Sequence, residues 1–229
     1  KPGATLDRTL EYGGKTVPIY RDRPLNVFSD VDFIWTGEEN ENQRRLEYLG
    51  GEFRTRYGID VSSFQGEIDW DAVADDNIDF AMVRVGFRGT GTGSLNTDKY
   101  YEQNIRGAMR AGLETGVYFF AQAVTVEEAI EEADFVISLL EGHEIDGPVA
   151  YDWEMHDSTY RVYGTSPEMA TACAVAFCQR IKDAGYTPMV YGGTYVTYMK
   201  YDQGALADYL SWYPEYKSEK SEKLCPTLV

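Results

Sequence analysis

The run Val149-Ala150-Tyr151-Asp152-Trp153-Glu154 puts two carboxylates two residues apart at the end of an apolar stretch. Side chains of a strand alternate between faces, so Asp152 and Glu154 would point the same way, with Cα atoms about 6.5–7 Å apart. Carboxylates that close raise one another's pKa, and an apolar wall raises both further. One protonated and one ionised carboxylate is the equipment of glycosidic bond cleavage, where an acid must protonate the leaving oxygen while positive charge develops on the sugar. Taken alone, the pair is better read as two strand-end carboxylates held by backbone amides or an arginine. His156 would share their face if the strand continued, either tuning the pair or standing at the rim.

The elements needed to position this pair are legible from Tyr57 onward, where short apolar runs alternate with amphipathic stretches. Strands are expected at Tyr57–Val61, Phe80–Val85, Gly116–Ala121, Pro148–Trp153, Pro188–Tyr191 and Tyr209–Tyr216. Helices are expected at Asp69–Asp76, Asp98–Ala111, Thr125–Leu140, Ser166–Ala184 and Tyr195–Lys200. Thr125 and Ser166 are cap residues, Pro167 suits a first helical position, and Gly185 ends the long helix. Repeated β-then-α units with short connections predict a parallel sheet, and this many units predict a barrel. Chemistry in such a barrel sits at the C-terminal ends of the strands, where Asp60 joins Asp152 and Glu154. Asp60 has an alternative role in a turn with Ser62 and Ser63. The Gly89–Gly93 run lacks the Lys-Ser/Thr of a phosphate loop and reads as a flexible rim loop. Glu127, Glu128, Glu131 and Glu132 read as a solvated helix face.

Residues 1–55 differ. Thr16–Tyr20 and Val31–Trp35 are strand-like runs broken by Gly, Pro and Asn/Asp, and Gly37–Arg45 reads as a loop or short helix. The division is an N-terminal β-containing appendage over residues 1–55 and a barrel domain over residues 56–229.

A net charge of −17 disfavours nucleic acid and anionic membrane surfaces. No apolar run is long enough to span a bilayer. Cys173 and Cys178 lie on different sides of one predicted helix, and with Cys225 they match neither a disulfide framework nor a zinc site. With two histidines in the chain, no metal or cofactor is implied. The 18 tyrosines and 4 tryptophans suit stacking on sugar rings, although most must fill the core and its rim. The chain opens at Lys1 with no leader, which fits a processed product.

Tyr57-Gly58-Ile59-Asp60-Val61-Ser62-Ser63-Phe64-Gln65-Gly66, followed by Ile68-Asp69-Trp70, resembles the opening of family 25 glycoside hydrolases, the muramidase-type lysozymes. Val83-Arg84-Val85-Gly86, Ala111-Gly112-Leu113 with Gly116-Val117-Tyr118-Phe119, and Asp152-Trp153-Glu154 follow in that family's order. Pro188-Met189-Val190-Tyr191 and Ser211-Trp212-Tyr213-Pro214-Glu215-Tyr216 resemble its later strands. The resemblance implies an irregular TIM-like β/α barrel that cleaves the β-1,4 bond between N-acetylmuramic acid and N-acetylglucosamine. The enzyme would act as a monomer on peptidoglycan strands, extracellularly or at the cell wall. It implies Glu154 as general acid/base, Asp152 as its partner and Asp60 in the same pocket, with Tyr118, Tyr191, Trp212 and Gln65 as the expected substrate-binding set. Either a carboxylate or the substrate's own 2-acetamido group would serve as nucleophile, and an Asp so near the acid favours the second. Arg84 reads either as a structural partner of an acidic residue inside the barrel, the favoured role, or as a substrate contact. The family's barrel has two further strands beyond this point, so the expectation is a barrel lacking its last strands in a chain cut from a longer one. The competing readings are a peptidoglycan-binding protein with little turnover, and a hydrolase of another N-acetylated glycan such as chitin.

Overall fold

The computed structural model describes residues 6–12, 14–20, 28–37 and 44–217. Two antiparallel hairpins come first, β1 (Leu6–Tyr12) with β2 (Lys15–Tyr20) and β3 (Phe33–Thr36) with β4 (Arg45–Tyr48). The strand expected from Val31 starts only at Phe33, because Asp32 accepts hydrogen bonds from the Ser29 backbone N–H (2.7 Å) and Oγ (3.0 Å) and closes a 3-10 turn. Of the loop expected over Gly37–Arg45, residues 38–43 lie outside the described residues, and Arg45 already belongs to β4. Its guanidinium donates to the Asp76 carboxylate (2.8 Å) and lies over the Tyr57 ring, tying β4 to the segment that opens the parallel sheet.

That sheet contains β5 (Gly58–Val61), β6 (Phe80–Arg88), β7 (Leu95–Thr97), β8 (Glu114–Ala121), β9 (Val149–Trp153), β10 (Pro188–Tyr191) and β11 (Leu210–Trp212). Its order is β11-β10-β9-β8-β6-β5, with every pair on that path parallel. The expected barrel is thus a parallel half-barrel, with β5 and β11 as its edges among the described residues. Two details differ from expectation. The Gly89–Gly93 run is a hairpin turn into the antiparallel β7, closed by Gly89 N–H to Ser94 O and Gly93 N–H to Gly89 O (both 2.9 Å). The last strand shrinks from Tyr209–Tyr216 to Leu210–Trp212.

Of the helices α1 (Trp70–Asp75), α2 (Tyr101–Arg110), α3 (Val126–Leu139), α4 (Pro167–Asp183) and α5 (Thr194–Met199), the first, third and fourth begin at side-chain caps, whereas α2 starts at Tyr101 rather than the expected Asp98, with no side-chain cap, and α5 follows Gly193. Asp69, Thr125 and Ser166 accept backbone N–H groups at 3.1, 3.3 and 3.2 Å, satisfying donors the helix itself cannot. Past α4, Gly185 takes φ +93°, a conformation that favours glycine. None of the described helices is long and apolar enough to cross a membrane.

Strand alternation sorts the sheet into two faces. Val83, Val85, Val117, Phe119, Tyr151 and Trp153 are buried in one cluster with Val136, Leu140, Phe177 and Ile181 of the helical layer. Fully burying side chains of this size contributes about 1.5–3 kcal/mol each. Their alternates Arg84, Tyr118, Phe120 and Asp152 face the interior of the half-barrel. Cys173 and Cys178 are buried free thiols on α4, and Cys225 lies outside the described residues.

The acidic face expected on α3 is solvated only at Glu127 and Glu131. Glu132 is 0% exposed and accepts from Arg88 Nε at 2.8 Å, while Glu128 pairs with Arg161 at 2.7 Å. A helical pattern shows four glutamates on one side. It does not show two arginines arriving from distant segments to neutralise them.

Candidate active site

A cavity of about 450 Å³ opens where the parallel strands end. Asp60, Asp152, Glu154, Tyr118, Tyr191, Trp212 and Gln65 all line it, so every residue chosen from the sequence is brought to one place. Parallel register explains the convergence. Phe120, Asp152, Tyr191 and Trp212 are successive cross-strand partners on β8, β9, β10 and β11, forming one row across four strands. Side chains in such a row share a face. Asp152 is therefore flanked by rings, and Trp212 meets Tyr191 and Tyr118 edge-on at 5.1 and 6.1 Å. Glu154 is the first residue past β9, yet it reaches the same cavity. Gln65 is partly committed elsewhere, since its Oε1 accepts the Ser62 backbone N–H at 2.8 Å.

Seven more residues line the cavity without having been chosen: Ser62, Phe64, Arg84, Phe120, Pro214, Glu215 and Tyr216. Phe120 lines the cavity alongside Tyr118, as their shared face allows. Arg84 is both structural and functional in position: it pairs with Asp98 at 2.8 Å and lines the cavity. Phe64 and Tyr216 are 84% and 91% exposed at the mouth, one after β5 and the other after β11, at opposite edges of the sheet. Nothing in the sequence marks Phe64. It is turned outward by the Ser62 cap, whose Oγ accepts the Phe64 N–H at 3.2 Å. His156, 64% exposed at the rim, still places Nε2 2.9 Å from Glu154 Oε2.

Burial pushes the Asp152 carboxyl well above the ordinary range, the charges of Glu154 and Asp60 push the same way, and Arg84 opposes them. Burial raises Asp60 as well, helped by Glu154 and opposed by a backbone hydrogen bond. Asp152 Oδ1 is buried with no hydrogen-bond partner among the described residues. A buried acceptor in that state is costly unless something supplies a donor. The Tyr118 and Tyr191 hydroxyls are raised by burial and stay neutral, as sugar-facing rings would. The arrangement can hold a proton on one carboxylate, keep negative charge on another, and offer ring faces to a ligand.

The sequence profile described as "Glycosyl hydrolases family 25" matches residues 59–226. Over 164 residues the chain is 26% identical to the autolytic lysozyme of Clostridium acetobutylicum, covering 71% of this chain and 46% of that one. Among solved structures it is similar to the modular autolysin LytC of Streptococcus pneumoniae, with TM-score 0.64, 21% identity, and coverage of 95% of this chain and 51% of that chain. The same autolysin has been solved in complex with a synthetic peptidoglycan ligand. The muramidase of Trichobolus zukalii matches with TM-score 0.50 and 26% identity over 62% of this chain and 67% of that chain. The chain spans about half the length of the autolytic lysozyme and of the autolysin.

Proposed function

The chain belongs to glycosyl hydrolase family 25, and on that premise we propose that it is a muramidase-type lysozyme hydrolysing the β-1,4 bond between N-acetylmuramic acid and N-acetylglucosamine of peptidoglycan. The observation that carries this reading is the convergence of Asp60, Asp152 and Glu154 in one cavity walled by Tyr118, Phe120, Tyr191 and Trp212. In this reading residues 56–229 form the catalytic domain and residues 1–55 an appendage, and the enzyme works at the cell wall, outside the membrane.

Glu154 acts as general acid toward the leaving oxygen and then as base toward water. Asp152, which lines the cavity, accepts the N–H of the substrate's 2-acetamido group. A hydrogen bond donated to Asp152 favours its ionised form, so Asp152 passes its proton to Glu154 as substrate arrives. The acetamido oxygen then attacks the anomeric carbon, the leaving oxygen takes the Glu154 proton, and ionised Asp152 stabilises the positive oxazolinium. Water, deprotonated by Glu154, reopens that ring. Asp60 adds negative potential on the same side.

Release of reducing ends from purified peptidoglycan tests the proposal. Glu154→Gln should lower the rate about 10²–10⁴-fold while glycan binding persists. A fully active Glu154→Gln would remove the residue from its role. Binding without turnover by the native chain would favour a wall-binding protein, and faster turnover of chitin oligomers would favour another N-acetylated glycan.

A further inference from the structure

The strand ladder that carries the site stops one residue too early to hold Glu154. β8 and β9 pair in register up to Ala121 opposite Trp153, and the next residue on each chain leaves the ladder. At that step a side chain takes over: Gln122 Nε2 donates to the backbone carbonyl of Glu154 at 2.8 Å. Gln122 is 0% exposed, and its own Oε1 has no partner among the described residues. A burial that leaves half of an amide unsatisfied is costly, so the donated bond is the use of a glutamine here.

Gln122 is itself fixed at both backbone groups. Its N–H donates to Glu132 Oε1 at 3.0 Å, and its carbonyl accepts from Arg161 Nη1 at 2.7 Å. Glu132 is anchored by Arg88 at 2.8 Å and Arg161 by Glu128 at 2.7 Å. One residue on, the carbonyl of Ala123 accepts from Trp153 Nε1 at 3.1 Å, so both residues flanking the end of β9 hang on the same strap.

We infer that Gln122 is a positioning residue for Glu154, and that the buried Arg88–Glu132 pair and the half-buried Arg161–Glu128 pair serve to hold the 122–123 strap against the end of β9. The inference rests on the reading of Glu154 as the acid/base. An exposed loop end would let the Glu154 carboxyl wander, and misplacement of a reacting group by about 1 Å can cost about 10²-fold in rate.

Gln122→Met keeps the length and removes the donor. It should lower kcat roughly 10- to 100-fold with KM changed less than about twofold, in a protein whose near-UV circular dichroism is native. Gln122→Glu adds a second readout. The groups facing that position are Glu132 and Glu128 from α3, Arg161 from the segment before α4, and Glu154 from the end of β9. Ionised, the new side chain repels the Glu154 carbonyl; protonated, it can donate to it. Its activity relative to native should therefore recover toward acid pH, which Gln122→Met should not do. Unchanged kcat in folded Gln122→Met, or a change in KM alone, overturns the inference. If the Met variant does not fold, the Gln122→Glu profile decides: acid recovery supports it and a flat ratio overturns it. An active Glu154→Gln takes down the assignment of Glu154 and this inference together. An inactive Glu154→Gln beside a fully active Gln122→Met takes down the inference alone.

Discussion

Asp152 lies in a row of aromatic side chains with its Oδ1 unpaired, and burial together with the charges of Glu154 and Asp60 holds its proton well above the usual carboxylate range. Because the proposed chemistry needs Asp152 ionised, kcat/KM on peptidoglycan should rise with pH along an acid limb lying above the ordinary Asp value of about 3.9. Asp152→Asn should lose most activity and that limb with it. A limb at the ordinary position would refute the coupled pair. The spacing of Asp152 and Glu154 was enough to foresee a shared cavity, because alternation is a local rule. Phe64 and Gln122 were not foreseen, because their roles depend on which distant backbone they meet. For His156 the sequence leaves tuning of the pair and a place at the rim both open, because its 2.9 Å contact with Glu154 depends on how the chain bends after β9.

Elements with strong caps and apolar period were legible to within a few residues, as α3, α4 and β10 show; β1, β4 and β7 were missed because strands of mixed polarity carry little signal. Packing between elements can also reverse a propensity rule. Glycine inside a helix is ordinarily about 1 kcal/mol worse than alanine. At Gly107 of α2, however, a Cβ would meet Trp70 Cδ1 at 2.2 Å, and Trp70 is buried. Gly107→Ala should therefore destabilise by about 1–3 kcal/mol in urea unfolding rather than stabilise. On α3, burial pushes the Glu132 carboxyl up to about 7, against the lowering pull of Arg88 and the Gln122 amide. A folded pKa above the unfolded one means that this group's stabilising contribution is complete below the unfolded value and is lost as pH rises through about 7. Glu132→Gln removes that loss, so the Tm of the variant minus that of the native protein should become more positive from roughly pH 5 to roughly pH 8. Glu128 works in the opposite sense: Arg161 holds its carboxyl low, and its contribution disappears as pH falls.

At the scale of the chain, the net charge of −17 would, on the proposed function, repel an anionic wall polymer at long range. Raising salt from about 20 to about 150 mM shortens the Debye length toward 8 Å. The rate on intact walls should rise over that range, while turnover of a neutral N-acetylglucosamine oligomer should stay nearly flat. Equal salt responses would show that long-range repulsion does not limit encounter. The half-barrel was foreseen because its β-then-α rhythm repeats. The pairing within residues 1–55 was less so, since its strands are separated by polar, turn-rich stretches. The order of the sheet has one more consequence. Apart from the side hairpin, each strand lies beside its predecessor in sequence, from β5 through β11, so the sheet can grow at one edge in the direction of synthesis. β9 joins fourth on that path, and its arrival delivers both Asp152 and Glu154 to a sheet whose far edge, β5, already holds Asp60. The cleft would then be among the later features to form, and pulse-labelled hydrogen exchange during refolding should protect β6 and β8 amides before those of β10. On a ribosome, a chain growing this way would remain chemically silent until its catalytic strand had emerged and docked.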